Sequence, residues 1–240
     1  MKLSVVNPDK EAIELLTRTL LVDGELQVAK SSFLRQFRQD DISAFCVYNG
    51  FYCLPTVELI DFLNAIIIAA SPSRNAIEIG SGNGVVGRAL GIEATDSMLQ
   101  ADPQMAALYA AIKQPVVTYG KNVVKVDANA AVKRYSPEVV IGCWVTHKFV
   151  ESEEWRGGNM FGIDEQAILD HPSVKAYLVV GHEDTHKNKP ILKHRHLALR
   201  PNEGMLFSRS VNPEGNVIYA WVKEGSQVES LLLPLSASDN

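Results

Sequence analysis

Apolar residues recur at helical spacing at Ile13, Leu15, Leu16, Leu20 and Leu21, and again at Val57, Ile60, Phe62, Leu63, Ile66 and Ile67 behind the start signal Pro55-Thr56. Two helices are therefore predicted within the first 70 residues. Residues 40–53, between them, are less regular and rich in aromatics (Phe45, Tyr48, Phe51, Tyr52). The pattern changes at Ser71-Pro72-Ser73. Short apolar runs at 75–79, 92–95, 123–126, 139–143 and 176–180 then alternate with helical stretches at 85–90, 98–112, 128–135 and 164–169. The run at 139–143 is apolar throughout, as a parallel strand covered on both faces should be. Residues 205–211 and 217–222 flank Asn212-Pro213-Glu214-Gly215 and predict an antiparallel hairpin. The expected fold is α/β: an open, mostly parallel sheet with helices on both faces and an antiparallel C-terminal hairpin. Residues 1–70 would form a helical cap or lid, 71–235 the ligand-binding domain and 236–240 a frayed tail.

Composition changes this picture little. Of the 240 residues, 46% are hydrophobic and 21% charged, which are ordinary globular values. Three cysteines (Cys46, Cys53, Cys143) are too few and odd in number for a disulfide framework. The N-terminus carries no apolar signal region, and the longest aliphatic run near it, 65–70, falls far short of the roughly 20 residues that span a bilayer. A reduced, soluble, cytoplasmic protein with no membrane partner is expected. A net charge of −5 argues against a global grip on nucleic acid, without excluding it. Residues 187–200 are the local exception, with five basic side chains and no acid. They read either as a solvated face or as a site for an anionic substrate.

In an open α/β sheet, ligands lie beyond the carboxyl ends of the strands. Three such ends carry polar chemistry: Glu78-Ile79-Gly80-Ser81-Gly82-Asn83-Gly84, then Asp96, then Asp127. Closely spaced glycines let a ligand approach the backbone and permit positive φ in a tight turn. A carboxylate at the end of the next strand can accept two hydrogen bonds from a ribose diol. A third, one strand further on, can accept from an exocyclic adenine amine. The spacing thus describes a pocket for an adenosine-containing ligand. Residues 82–87 also spell GxGxxG, so an NAD(P)-dependent oxidoreductase is the alternative. Its acidic residue should follow by about 20 positions, whereas Asp96 follows Gly82 by 14.

Residues 76–84 (AIEIGSGNG) resemble the first motif of class I S-adenosylmethionine-dependent methyltransferases. Residues 94–98 (ATDSM) are similar to that family's ribose-binding strand end, 126–128 (VDA) to its adenine-contacting segment, and 140–144 (VIGCW) stand at its fourth strand. The resemblance covers roughly residues 50–222. It implies a Rossmann-like sheet in the order 3-2-1-4-5-7-6, and S-adenosyl-L-methionine as cofactor. Gly80, Ser81, Gly82 and Gly84 would then line its methionine and ribose portions, with Glu78 fixing the loop and the amino group. Asp96 with Ser97 would hold the ribose hydroxyls, Met98 would pack on adenine, Asp127 and Ala128 would read its amine, and Cys143 would close the site through its backbone. The helix after the first motif is short, so Asp96 arrives early.

The methyl acceptor is unidentified, with a small molecule or protein favoured over DNA. An (N/D)PP(Y/F) motif is absent after the fourth strand, and Cys143 follows glycine rather than proline. Just past that strand, His147 is a candidate base and Trp144 a candidate wall for a flat or cationic acceptor. Tyr52 would belong to the lid. A structural histidine and core aromatics are the bland alternatives. Residues 182–186 (HEDTH) spell HExxH, which raises a metallohydrolase as a further alternative. That chemistry needs both histidines on one helical face, yet this segment follows a strand and soon meets Pro190. No metal is assigned. His182 and Glu183 are instead candidate acid/base groups or polar anchors at the acceptor site.

Overall fold

The computed structural model describes residues 7–200 and 204–236. At its centre lie seven strands: β1 (Ala76–Ile79), β2 (Glu93–Asp96), β3 (Val123–Lys125), β4 (Val139–Cys143), β5 (Ala176–His182), β6 (Leu197–Leu199) and β7 (Asn216–Val222). Their spatial order is β3-β2-β1-β4-β5-β7-β6. The first five pair in parallel, and β7 runs antiparallel to both β5 and β6. This is the Rossmann-like order 3-2-1-4-5-7-6 anticipated above. Strand alternation sorts the side chains: Val139, Ile141, Leu178, Val180 and Ile218 face one apolar layer, while Ile77, Ile79, Val140, Tyr177 and Val179 face the other.

The helix Val57–Ala70 begins at Thr56, whose hydroxyl accepts from the Leu59 N–H at 3.0 Å. It buries Leu59, Leu63, Ile66 and Ile67 on the first face of the sheet. The helices Lys10–Leu20 and Gln39–Tyr48 contribute Leu16, Leu20, Ile42 and Phe45 to that same layer. The core is thus continuous from the N-terminal helices to the sheet. The opposite layer is closed by the helices Ala128–Tyr135 and Glu165–Leu169.

One pairing differs from the sequence reading. The expected hairpin of 205–211 with 217–222 does not form. Leu206–Ser208 turns away and pairs antiparallel with Cys53–Pro55, and the partner of β7 is instead the short apolar triplet of β6. Side chains make the reason visible. Asn216 donates to the Leu206 carbonyl at 3.0 Å and accepts from the Ser208 hydroxyl at 2.8 Å, while Thr56 donates to the Met205 carbonyl at 2.6 Å. Residues 205–208 are therefore held between the start of β7, through Asn216, and the segment Cys53–Thr56, and the β7 edge is left for Leu197–Leu199.

Beneath the second layer lies a buried ion pair. Lys189 and Glu165 meet at 2.8 Å with side chains 1% exposed, and the Tyr177 hydroxyl donates to the same carboxylate oxygen at 2.8 Å. Removing one partner of such a pair leaves an uncompensated buried charge, at about 3–5 kcal/mol. Lys189→Met is expected to lose stability on that order in a denaturant titration, and the double variant Lys189→Met/Glu165→Leu to recover most of it.

Candidate functional site

The loop after β1 is held by carboxylates from two strands. Gly80, Gly82 and Gly84 adopt positive φ (57°, 54° and 69°), which lets the chain turn sharply between β1 and the helix Val85–Leu90. Asp96, at the end of β2, accepts from the Gly82 N–H at 3.0 Å through one oxygen and from the Met98 N–H at 2.7 Å through the other. The Ser81 N–H donates to the Thr95 carbonyl at 3.0 Å. Burial raises the Asp96 pKa, against the opposing pull of those two N–H groups. Each Asp96 oxygen retains a free lone pair for a further donor.

Glu78 lies in β1 at 1% exposure and accepts from the Gly87 N–H at 2.8 Å. Burial pushes its carboxyl up to about 8, so it is largely protonated at neutral pH. Gly87 has a packing reason to be glycine. A Cβ there would stand 2.8 Å from the Ala94 Cβ and 3.0 Å from the Glu78 carboxylate.

Two spaces open at this end of the sheet. A narrow cleft of about 50 Å³ is lined by Tyr52, Glu78, Gly80, Ser81, Gly82 and Cys143 among others. The Ser81 hydroxyl is buried there without a partner. Contact with the Cys53 thiol, and then burial, hold the Cys143 thiol well above its usual range, so it is not a thiolate nucleophile. A larger cavity of about 480 Å³ lies beyond β2 and β3, with Ser97, Leu99, Asp127 and Phe161 on its walls. Asp96 and Asp127 thus stand at neighbouring strand ends on one side of the molecule, where Val126 donates to the Asp96 carbonyl at 2.9 Å. Asp127 also caps the helix Ala128–Tyr135, accepting from Asn129 and Ala130 through one oxygen. Ala128 is buried in that first turn.

Other expected residues take separate positions. Leu99, rather than Met98, lines the larger cavity. Gly84 is constrained by packing, since a Cβ would meet the Val123 side chain at 2.6 Å. Trp144 holds a positive φ of 59°, a strained conformation for a bulky residue. Its N–H donates to the Val180 carbonyl at 2.8 Å. The indole ring neighbours Tyr52, His182 and His186, with centroids 6.3, 6.2 and 5.5 Å away, and its own N–H is buried without a partner. His182 is tied to the Asn212 carbonyl at 2.7 Å and to Ser210 at 3.1 Å. Glu183 is exposed and paired with Arg200 at 3.0 Å. His147 is buried and lines a different cavity, with Ile163 and Pro190. None of these last three lines the glycine-loop cleft.

The HExxH segment is not a helical face. His182 is the last residue of β5, Glu183–His186 is a single turn, and the His186 ring accepts from the His182 backbone N–H at 3.0 Å. Burial lowers the His186 pKa to about 4, which keeps its ring neutral. The basic stretch is largely neutralised. Lys187, Lys189, Arg195 and Arg200 pair with Asp184, Glu165, Glu229 and Glu183.

The sequence reading missed the segment that covers the loop. A Cβ on Gly82 would stand 3.3 Å from the Val117 side chain, and one on Gly50 2.7 Å from the Val116 carbonyl. Gln100 holds this segment in place. Its side-chain oxygen accepts from the Val117 N–H at 2.9 Å, and its own N–H donates to the Tyr119 hydroxyl at 3.2 Å. No periodicity marks residues 112–122 as a cover, so no local signal was available.

Comparison with known proteins adds limited context. No protein-family profile and no curated protein matches the chain. Among solved structures, the 23S rRNA methyltransferase ErmE shares 13% identity over 70% of this chain and 69% of its own, with a TM-score of 0.33. An S-adenosylmethionine-dependent methyltransferase from Agrobacterium tumefaciens shares 12% identity over 68% of this chain and 60% of its own, with a TM-score of 0.33. A Burkholderia thailandensis protein bound to S-adenosyl-homocysteine shares 13% identity over 97% and 80%, with a TM-score of 0.30. Superpositions this loose leave the fold resting on the strand order and the site on its own geometry.

Proposed function

We propose that the chain is a class I S-adenosylmethionine-dependent methyltransferase, acting on a small-molecule or protein acceptor. The observation that carries this reading is Asp96. Its carboxylate holds the glycine turn, and the residue after it, Ser97, lines a large cavity that reaches Asp127 beyond the next strand. Asp96 would accept the ribose hydroxyls, and Asp127 the adenine amine through the oxygen its helix does not use. The unpartnered Ser81 hydroxyl and the bare backbone of Gly80 and Gly82 suit the polar methionine portion, beside Glu78 and Cys143.

The cofactor supplies a methyl group already activated on a sulfonium. What this chain must add is alignment and exclusion of water. Val117 and its neighbours lie over the glycine loop, and the cleft beneath them is narrow. Residues 112–122 would therefore shift to admit the methionine portion and then cover it. Trp144 and Tyr52, next to Cys143, would form the wall against which the acceptor rests. His182 would fix the Trp144 ring from its far side.

The oxidoreductase reading fits less well. A dinucleotide places its pyrophosphate on the free N–H groups of the glycine turn. Here the Gly82 N–H is taken by Asp96 and the Gly84 N–H by the Ser81 carbonyl. A carboxylate at that position repels a phosphate.

Calorimetric titration of the folded chain with S-adenosylmethionine is expected to show saturable binding, and titration with NADH none; the reverse pattern would overturn the proposal. Asp96→Ala should weaken S-adenosylmethionine binding by about 10- to 100-fold, the loss of hydrogen bonds to a charged group, with the far-ultraviolet circular dichroism unchanged. Glu78 gives a separate test on the free protein. Its folded pKa lies near 8, against 4.5 ordinarily, so its contribution to stability is full below pH 4.5 and lost as pH rises through 8. Glu78→Gln, which carries no titrating group, should therefore gain stability relative to the parent as pH is raised across that window in urea melts.

A further inference from the structure

Arg209 stands apart from most cations of this fold. Arg38, Arg88, Arg156, Arg195 and Arg200 each meet a carboxylate. Arg209 is half-buried, yet among the described residues its guanidinium pairs with no acid. Its backbone is fixed: the N–H donates to the Tyr52 carbonyl at 3.0 Å, and the carbonyl accepts from the Ser43 hydroxyl at 2.6 Å. The guanidinium carbon lies 4.9 Å from the centre of the Tyr52 ring, and Tyr52 itself lines the glycine-loop cleft with Gly80, Ser81 and Cys143. Stacking engages the flat face of a guanidinium and leaves its N–H edge free to donate. We propose that the methyl acceptor is a small carboxylic acid, whose carboxylate binds Arg209 while its body rests against Tyr52 and Trp144; this deepens the methyltransferase reading and rests on it.

The surroundings select that class. A guanidinium presents two parallel N–H groups that match the two oxygens of a carboxylate. Tyr109 stands beside Tyr52 and within electrostatic reach of Arg209. Burial, and then Tyr52, push the Tyr109 hydroxyl up, so it stays protonated and can donate to the same anion. None of the described residues lining the cleft is Lys or Arg, so a single positive charge is on offer. It balances a monoanion, whereas a dianionic phosphate would be left undercompensated on the same side as Asp96. Glu78, on the cleft wall, is held mainly as the neutral acid and does not repel the ligand. Trp144, centred 6.3 Å from Tyr52, extends the aromatic surface for an apolar body.

The test is an NMR titration of the isotope-labelled full chain with benzoate, with and without S-adenosyl-homocysteine, read at the arginine Nε–Hε signals. Benzamide serves as the neutral isostere and phenyl phosphate as the dianion. Benzoate is expected to saturate and to shift the signal that Arg209→Gln deletes, while benzamide leaves it in place and phenyl phosphate binds more weakly. Arg209→Gln should weaken benzoate by about 10-fold or more, with circular dichroism unchanged. Arg209→Lys keeps the charge without the fork and should recover part of that loss. Equal binding of benzamide, tighter binding of phenyl phosphate, or undiminished binding by Arg209→Gln would overturn the proposal. S-adenosylmethionine binding without any benzoate response overturns this inference alone and leaves the methyltransferase reading standing. A benzoate response from a chain that binds no S-adenosylmethionine overturns both, because the anion is then no methyl acceptor.

Discussion

A turn with three glycines at positive φ has little rigidity of its own, because glycine sacrifices the most backbone freedom on folding. Its shape here is imposed from outside by two carboxylates, one buried and one half-buried. Asp96 fastens the turn to the end of β2 through Gly82, and Glu78 fastens the start of the following helix to β1 through Gly87. The second contact brings the helix backbone close to the neighbouring strands, which the absence of a Cβ at Gly87 allows. The glycine turn and the first residues of the helix after it owe their position to this clamp.

Burial gives the two carboxylates different characters. Glu78, fully enclosed, is held mainly as the neutral acid and acts as a packing and hydrogen-bonding group. Asp96 is less enclosed and accepts from two N–H groups, which favour its charged form. A carboxylate so placed attracts hydroxyl and amine donors and rejects phosphate. The proposed choice of an adenosyl group over a dinucleotide rests on that electrostatic contrast, since the glycine spacing alone admits both.

Several sequence patterns dissolve in three dimensions for equally physical reasons. The HExxH string begins on a strand, so its histidines turn to separate backbone partners. Four of the five basic residues at 187–200 lie against carboxylates outside that stretch, and one of them, Lys189, is fully buried. Local charge therefore says little here about the charge a ligand meets.

The alternation of apolar strands with helices, and the acids placed just after those strands, were legible in the chain as written, because strand and helix periodicity are local and a parallel sheet needs continuous apolar runs. Asp96 and the glycine turn could be read for the same reason. The pairing of Leu206–Ser208 with Cys53–Pro55, the recruitment of Leu197–Leu199 to the sheet edge, the cover of residues 112–122 and the Glu165–Lys189 pair could not. Each joins segments remote in sequence, or uses a run too short for any period to show. Their partners were chosen by which backbone groups and charges would otherwise have been buried alone, and that is settled only when the whole chain is packed.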